Sequence, residues 1–274
     1  MAKSNRLLPW FGSNSENAKY AGSLLDGCRM VFIPFGGGMS EVPHITAKQI
    51  LVSDLHEHVV NLCRCLKDAT TRQWITEQAD AEPYHPVMLR HHQDWANRGP
   101  KGTSENPDSY AALSYFVAVW MGRGGKAGSG GELSGSLPVR LDAAGGGCNR
   151  RYRTAIEALD EWGRTFKRCE FVCMDAFDLL DKCKDADDSG IYVDAPWPDA
   201  GDVYKHKFDE SQQCVLAHAL TEFEKARVVV RFGDHPLIRE LYPTTEWTWI
   251  ERSSRDQANA VKPEVYLVRN GVSE

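Results

Sequence analysis

The chain lacks a run of 18 apolar residues, so no membrane-spanning helix is expected. Residues 1–17 lack the apolar stretch of a secretory leader, so the reading is a cytoplasmic protein with reduced thiols. None of its eight cysteines forms a CxxC pair. Cys63 and Cys65 near His56 and His58 fit no standard zinc spacing, so no metal is expected. The chain has neither GxxxxGK[ST] nor GxGxxG, which disfavours a P-loop nucleotidase and a dinucleotide dehydrogenase. It has no repeat of fixed period. Its net charge of −6 argues against nonspecific nucleic-acid binding by the whole surface.

What is present is 274 residues of ordinary globular composition, 42% hydrophobic and 26% charged. Charge is uneven. Between residues 121 and 168, nine Lys/Arg (Arg123, Lys126, Arg140, Arg150, Arg151, Arg153, Arg164, Lys167, Arg168) face five acids. This basic island in an acidic protein is either a phosphate-contacting face or an ordinary solvated helix surface.

The apolar pattern has an α/β grammar. MVFIPF, residues 30–35, reads as a buried strand feeding Gly36-Gly37-Gly38. Residues 50–52 form a second short run closed by Ser53-Asp54. Leu55, Val59, Leu62, Cys63 and Leu66 follow at helical spacing. From about residue 68 to 147 the pattern loosens around an apolar helical stretch at 110–121. The glycine-rich segment 122–136 reads as a mobile loop or a surface that orders on a ligand. Residues 151–166 return to an amphipathic helix. Short strands are then expected at 170–174, 190–193, 228–230, 247–250 and 265–268, with helices at 177–180, 212–223 and 237–241.

Three strand ends carry an acid: Asp54, Asp175 and Asp194. Ligands of open α/β sheets bind outside the carboxyl ends of the strands, and an acid there suits a ribose diol. Singly, each acid is more often a helix N-cap than a ligand-binding residue. Beside a triple-glycine turn, the three together point to a nucleoside-containing cofactor. The segment Asp194-Ala195-Pro196-Trp197 adds a clamp for a planar exocyclic amine. The carboxylate accepts one amine N–H. The carbonyl of Ala195, held extended by Pro196, accepts the other. Trp197 stacks on the ring, worth roughly 1–3 kcal/mol.

On these motifs the chain resembles the Dam-like, D12-class DNA adenine-N6 methyltransferases of phage and prokaryotic type, over about residues 5–60 and 165–270. PFGGG (Pro34, Phe35, Gly36, Gly37, Gly38) resembles the family's cofactor turn, and DAPW its DPPY/DPPW. Asp175, Ala176 and Phe177 match the segment that holds the adenine moiety of S-adenosylmethionine. Asp54 matches the position that holds its ribose. Trp10 and Gly12 lie in a segment similar to the WxGGK-type stretch that closes over the cofactor. Residues 262–267, KPEVYL, resemble the closing strand. The chain departs from the pattern at Ile33, where the family has an acid, at Ser13-Asn14, where it has GK, and at Ala195, where it has proline.

The resemblance implies a Rossmann-like methyltransferase sheet formed by residues 1–67 and 167–274. It also implies an inserted, mostly helical and loop-built target-recognition region at 68–166. It implies methyl transfer to adenine N6 in DNA after base flipping. Arg123, Lys126, Arg150, Arg151, Arg153 and Tyr204 are the expected DNA contacts, with Tyr204 otherwise plain surface. Two alternatives stay open: an impaired methyltransferase-like chain that binds DNA or cofactor, and a methyltransferase acting on RNA or a protein amide.

Overall fold

The computed structural model describes residues 6–102, 106–122, 127–128, 131–138, 147–198, 204–255 and 261–271. In chain order the elements are α1 (Ala18–Ser23), β1 (Met30–Ile33), a 3-10 turn (Val42–His44), β2 (Gln49–Ser53), α2 (Glu57–Lys67), α3 (Ala69–Ala81), α4 (Pro86–Arg98), α5 (Ser109–Met121) and α6 (Cys148–Phe166). They continue with β3 (Cys169–Val172), α7 (Ala176–Leu180), β4 (Ser189–Val193), α8 (Glu210–Thr221), β5 (Arg227–Gly233), α9 (Pro236–Leu241), β6 (Thr248–Arg255) and β7 (Val261–Arg269). The chain is α/β, as its pattern predicts, and it divides into two compact units.

The sheet unit comprises Asn14–Gly36, Glu41–Leu55 and Arg168–Glu274. Among the described residues its sheet has seven strands in the order β3-β2-β1-β4-β5-β7-β6. The first five are parallel, and β7 runs antiparallel to both β5 and β6. The order 3-2-1-4-5 is that of a doubly wound sheet, with its reversal between β1 and β4. The parallel strands read as continuous apolar runs because both their faces are covered: all five residues of β4 are buried. One core joins Ile191 and Val193 of β4, Val228, Val230 and Phe232 of β5 and Val265 of β7 to Leu216 and Leu220 of α8 and Ile238 of α9. The side chain of Asp209 accepts from the Gln212 amide at 2.9 Å and starts α8 with a reciprocal capping box.

The helical unit comprises Met1–Ser13, Gly37–Ser40 and His56–Lys167. Its centre is α5, ten of whose thirteen residues are buried. Helices α2, α3, α4 and α6 all pack on α5. The long run of the helical unit begins at His56 rather than at residue 68, and the unit also takes in Met1–Ser13 and Gly37–Ser40. The apolar stripe of α2 meets α3, α5 and α6, which takes that helix out of the sheet unit. Leu55, expected on that stripe, precedes the helix and is exposed.

The loosened stretch after residue 68 also contains two unexpected helices. Asp68 caps α3 by accepting from the Thr71 amide at 2.8 Å, and Pro86 stands in the first turn of α4. Leu133 and Gly135 of the glycine-rich segment are anchored to α4, whereas Ala127 bridges to Trp10. Asn97 Nδ2 donates to the Leu133 carbonyl at 2.9 Å and its Oδ1 accepts from the Leu133 amide at 2.8 Å. Gln93 Nε2 donates to the Gly135 carbonyl at 3.3 Å.

Candidate functional site

Four parallel strands end together at one edge of the sheet unit. β1 runs into Pro34, Phe35 and Gly36, β2 into Asp54, β3 into Asp175 and β4 into Asp194. The Gly36 amide donates to the Ser53 carbonyl at 2.8 Å, which ties the end of β1 to that of β2. Ser53 Oγ donates to the Met174 carbonyl at 2.6 Å, which ties β2 to the loop after β3. Ile33, where the resembled family carries an acid, is a buried residue of β1 registered on Val52.

Asp175 is an N-cap, accepting from the Phe177 amide at 2.9 Å and starting the five-residue α7. That bond engages one carboxylate oxygen and fixes the side chain's direction. Ala176 is buried behind it. Phe177 and Phe35 converge on Phe208: the Phe177 ring is stacked on it at 6.3 Å and the Phe35 ring meets it edge-on at 5.4 Å. Asp54 is half-buried, with its amide on the Val172 carbonyl at 3.3 Å.

The clamp segment follows β4. Its register, Val193 on Val230, brings Asp194 beside Arg231 of β5. Arg231 Nη1 donates to both carboxylate oxygens of Asp194, at 2.9 and 3.2 Å. The other edge of the guanidinium binds Glu264 of β7 through Nη2 and Nε, and Asn17 Nδ2 donates to Glu264 Oε2 at 3.1 Å. The side chains of Arg231 and Glu264 are 3% and 1% exposed, whereas that of Asp194 keeps 21%. Burial is the largest influence on Asp194 and pushes its carboxyl up to about 7; Arg231 opposes this, and Glu41 and Glu264 add to it. Burial also raises the neighbouring phenols of Tyr192, Tyr204 and Tyr266. Glu264 is held below its ordinary value by Arg231, against burial.

Ala195 is buried and its methyl belongs to the core, so a small residue fits where the resembled family carries proline. The Pro196 carbonyl accepts from Gln213 Nε2 at 2.7 Å. Trp197 is half-buried. Its ring lies over Gly233, and the Arg231 guanidinium stands 5.3 Å from the ring centroid. Tyr204 is half-buried, and the Asp194 carboxylate contributes to raising its phenol. It belongs to the electrostatic surroundings of Asp194 and is not plain surface.

Sequence reasoning misses the polar residues behind the clamp. Asn14 is buried, donating to the Tyr192 hydroxyl and accepting from the Tyr266 hydroxyl, both at 3.1 Å. The Tyr192 hydroxyl donates to Glu41 at 3.2 Å. Of these residues Asn14, Glu264 and Tyr266 lie in segments the sequence singles out, where their pairing is not visible.

The remaining candidates belong to the helical unit. Gly37 has φ +47°, in the left-handed region that favours glycine, and a Cβ there would lie 3.1 Å from Nε1 of Trp10. A Cβ on Gly38 would lie 2.8 Å from the Trp10 Cβ. Trp10 therefore rests on the glycine turn, with His56 edge-on at 5.6 Å. Gly12 turns the chain at φ +74°. Cys63 and Cys65 are buried packing residues. Among the described residues no group of three His, Cys, Asp or Glu is arranged to hold a metal ion.

The basic island is smaller than its charge count. Arg168 donates to the carbonyls of Val42, Ile45 and Ala47, and Arg164 pairs with Asp160. Arg150, Arg151 and Arg153 are exposed in the first turns of α6, with Arg153 3.4 Å from Asp80. Arg123 and Lys126 lie outside the described residues. Among the described residues no helix is long and apolar enough to cross a membrane. Compared with models of known protein families and with curated proteins, the chain matches none.

Proposed function

We propose that this chain transfers a methyl group from S-adenosylmethionine to the N6 amine of adenine in DNA. The observation that carries the reading is Asp194-Ala195-Pro196-Trp197 leaving β4 at the carboxyl edge of the sheet, where the strand order reverses. Such a crevice is where doubly wound sheets bind nucleotides, and the clamp offers a carboxylate, a carbonyl and an indole to a planar amine.

The donor set there fits a nucleoside-containing cofactor. Asp54, at the end of β2 and following the glycine turn, is the acid for the ribose diol. Asp175 and the Phe35–Phe208–Phe177 aromatic group suit an adenine ring. When bound, S-adenosylmethionine supplies an electrophilic methyl group. Asp194 accepts one N–H of the target amine and the Ala195 carbonyl accepts the other, which aims the nitrogen lone pair. Trp197 covers the ring and offsets part of the unstacking cost of a few kcal/mol. The proton that N6 loses has Asp194 as its nearest acceptor. Catalysis on this account is orientation and electrostatics, not strong general base chemistry.

Arg150, Arg151 and Arg153 are the proposed phosphate contacts. They surround the start of a nineteen-residue helix whose N-cap, Gly147, brings no side-chain cap, so amide donors and positive charge coincide there. Arg123 and Lys126 share this role on sequence grounds.

A second reading is a chain that binds cofactor or DNA without turnover. One observation favours it: both oxygens of Asp194 are engaged by Arg231. The separating experiment offers tritiated cofactor to DNA, RNA and protein acceptors and titrates cofactor binding in parallel. Label in DNA, lost with Asp194→Ala, supports the proposal. Cofactor binding with label in no acceptor supports the second reading, and label in RNA or protein alone replaces the substrate.

A further inference from the structure

We propose that Arg231 is a positioning residue that locks the Asp194 carboxylate and the Trp197 ring into one fixed relation. Its part in catalysis rests on the function proposed above; its part in clamp geometry does not.

Three observations converge on it. Arg231 touches both ends of the clamp, with Nη1 on the two oxygens of Asp194 and the guanidinium 5.3 Å from the Trp197 centroid. It is itself held from behind by Glu264, which Asn17 holds in turn. Two residues along the same face of β5, Gly233 leaves the space in which the ring lies. A structural ion pair would need only the first carboxylate. Here one planar fork serves two carboxylates and an aromatic face.

Lysine cannot replace it in this role. An ammonium carries the charge to Asp194 but has neither the fork that reaches Glu264 at the same time nor a flat surface for the indole. Arg231→Lys should keep the charge and lose the lock. The sequence hides this role, because one arginine inside a strand of valines resembles a surface residue until β4 is laid beside β5.

The test uses the full chain labelled with 5-fluorotryptophan, with the Trp197 fluorine resonance assigned by Trp197→Phe. In Arg231→Lys the Trp197 resonance should shift and broaden while those of the other seven tryptophans stay in place. Glu264→Gln, which keeps Arg231 and loosens its rear anchor, should move the same resonance in the same direction by less, and it serves if the lysine variant does not fold. A Trp197 resonance unmoved in both folded variants overturns the proposal. For wild-type protein that methylates DNA, Arg231→Lys should lower kcat at least tenfold, leave cofactor affinity within about twofold and move the midpoint of the pH–rate profile upward. An unchanged profile removes Arg231 from catalysis. If the wild type methylates nothing, the proposed function fails, and the fluorine spectra still decide the clamp.

Discussion

Gly233 is the floor beneath Trp197: a Cβ at that position would lie 2.8 Å from the ring's Cε3. The floor is backbone, so Gly233→Ala must push the indole away from β5. Overpacking of this kind costs roughly 1–3 kcal/mol. We expect methyl transfer to fall about tenfold or more, with the larger effect on the DNA KM and little on cofactor binding. Steady-state kinetics against both substrates would show it. Unaltered constants would mean that the Trp197 ring does not contact the base.

Asp194 should give the proposed activity a pH dependence. Its ionised form is the stronger acceptor of an amine N–H and the one able to take up the proton that N6 loses, and burial pushes its carboxyl up to about 7. Arg231, Glu41 and Glu264, with the phenols of Tyr192, Tyr204 and Tyr266, are the ionisable groups around it. The rate should rise with pH, pass its midpoint near 7 and level off above. The stability effect has the opposite sign: this group favours the folded state below its ordinary value of 3.8, and the contribution is lost as pH rises through about 7. Glu264 works the other way. Its stabilisation is present above 4.5 and lost as pH falls through its lowered value. A rate that stays flat between about pH 6 and 8 would contradict the role given to Asp194.

Asn14 links two tyrosines from different strands, Tyr192 of β4 and Tyr266 of β7. Asn14→Ala takes one partner from each of two buried hydroxyls, a loss of about 1–3 kcal/mol. At about 2–4 °C per kcal/mol, thermal unfolding should fall by several degrees. Calorimetry on the variant decides this, and an unmoved transition would make the network energetically idle.

Replacing Arg150, Arg151 and Arg153 by alanine should weaken DNA binding for every sequence alike. Each phosphate no longer neutralised should flatten the plot of log affinity against log salt by roughly 0.9. Arg153, already near Asp80, should contribute less than Arg151. Identical slopes for variant and wild type would take the start of α6 out of the DNA interface.

The parts of the fold legible in the sequence are those where an apolar run stops abruptly at glycine or acid. β1 stops before Gly36, β2 at Ser53-Asp54, β3 before Asp175 and β4 at Asp194, so the three acidic strand ends are readable without the sheet. The helices α3 and α4 are not legible because of what they bury. Arg72 accompanies Ile75 and Ala79 in α3, and His92 and Gln93 accompany Leu89 and Ala96 in α4, so neither shows an apolar stripe. Arg231 and Asn14 are hidden for a different reason. Arg231 stands 37 residues from Asp194, and Asn14 stands 178 and 252 residues from its two tyrosines. No local pattern reports such pairings.

Methyl transfer to adenine would be reported directly by the nucleosides of a host. Genomic DNA from an adenine-methylation-deficient host expressing this chain, digested and measured by mass spectrometry, should contain N6-methyladenine. DNA from the same host expressing Asp194→Ala should contain none. N6-methyladenine at equal levels in both would contradict the assignment of Asp194, and its absence from both, in a host whose DNA the purified protein also fails to label, would contradict methyl transfer to adenine.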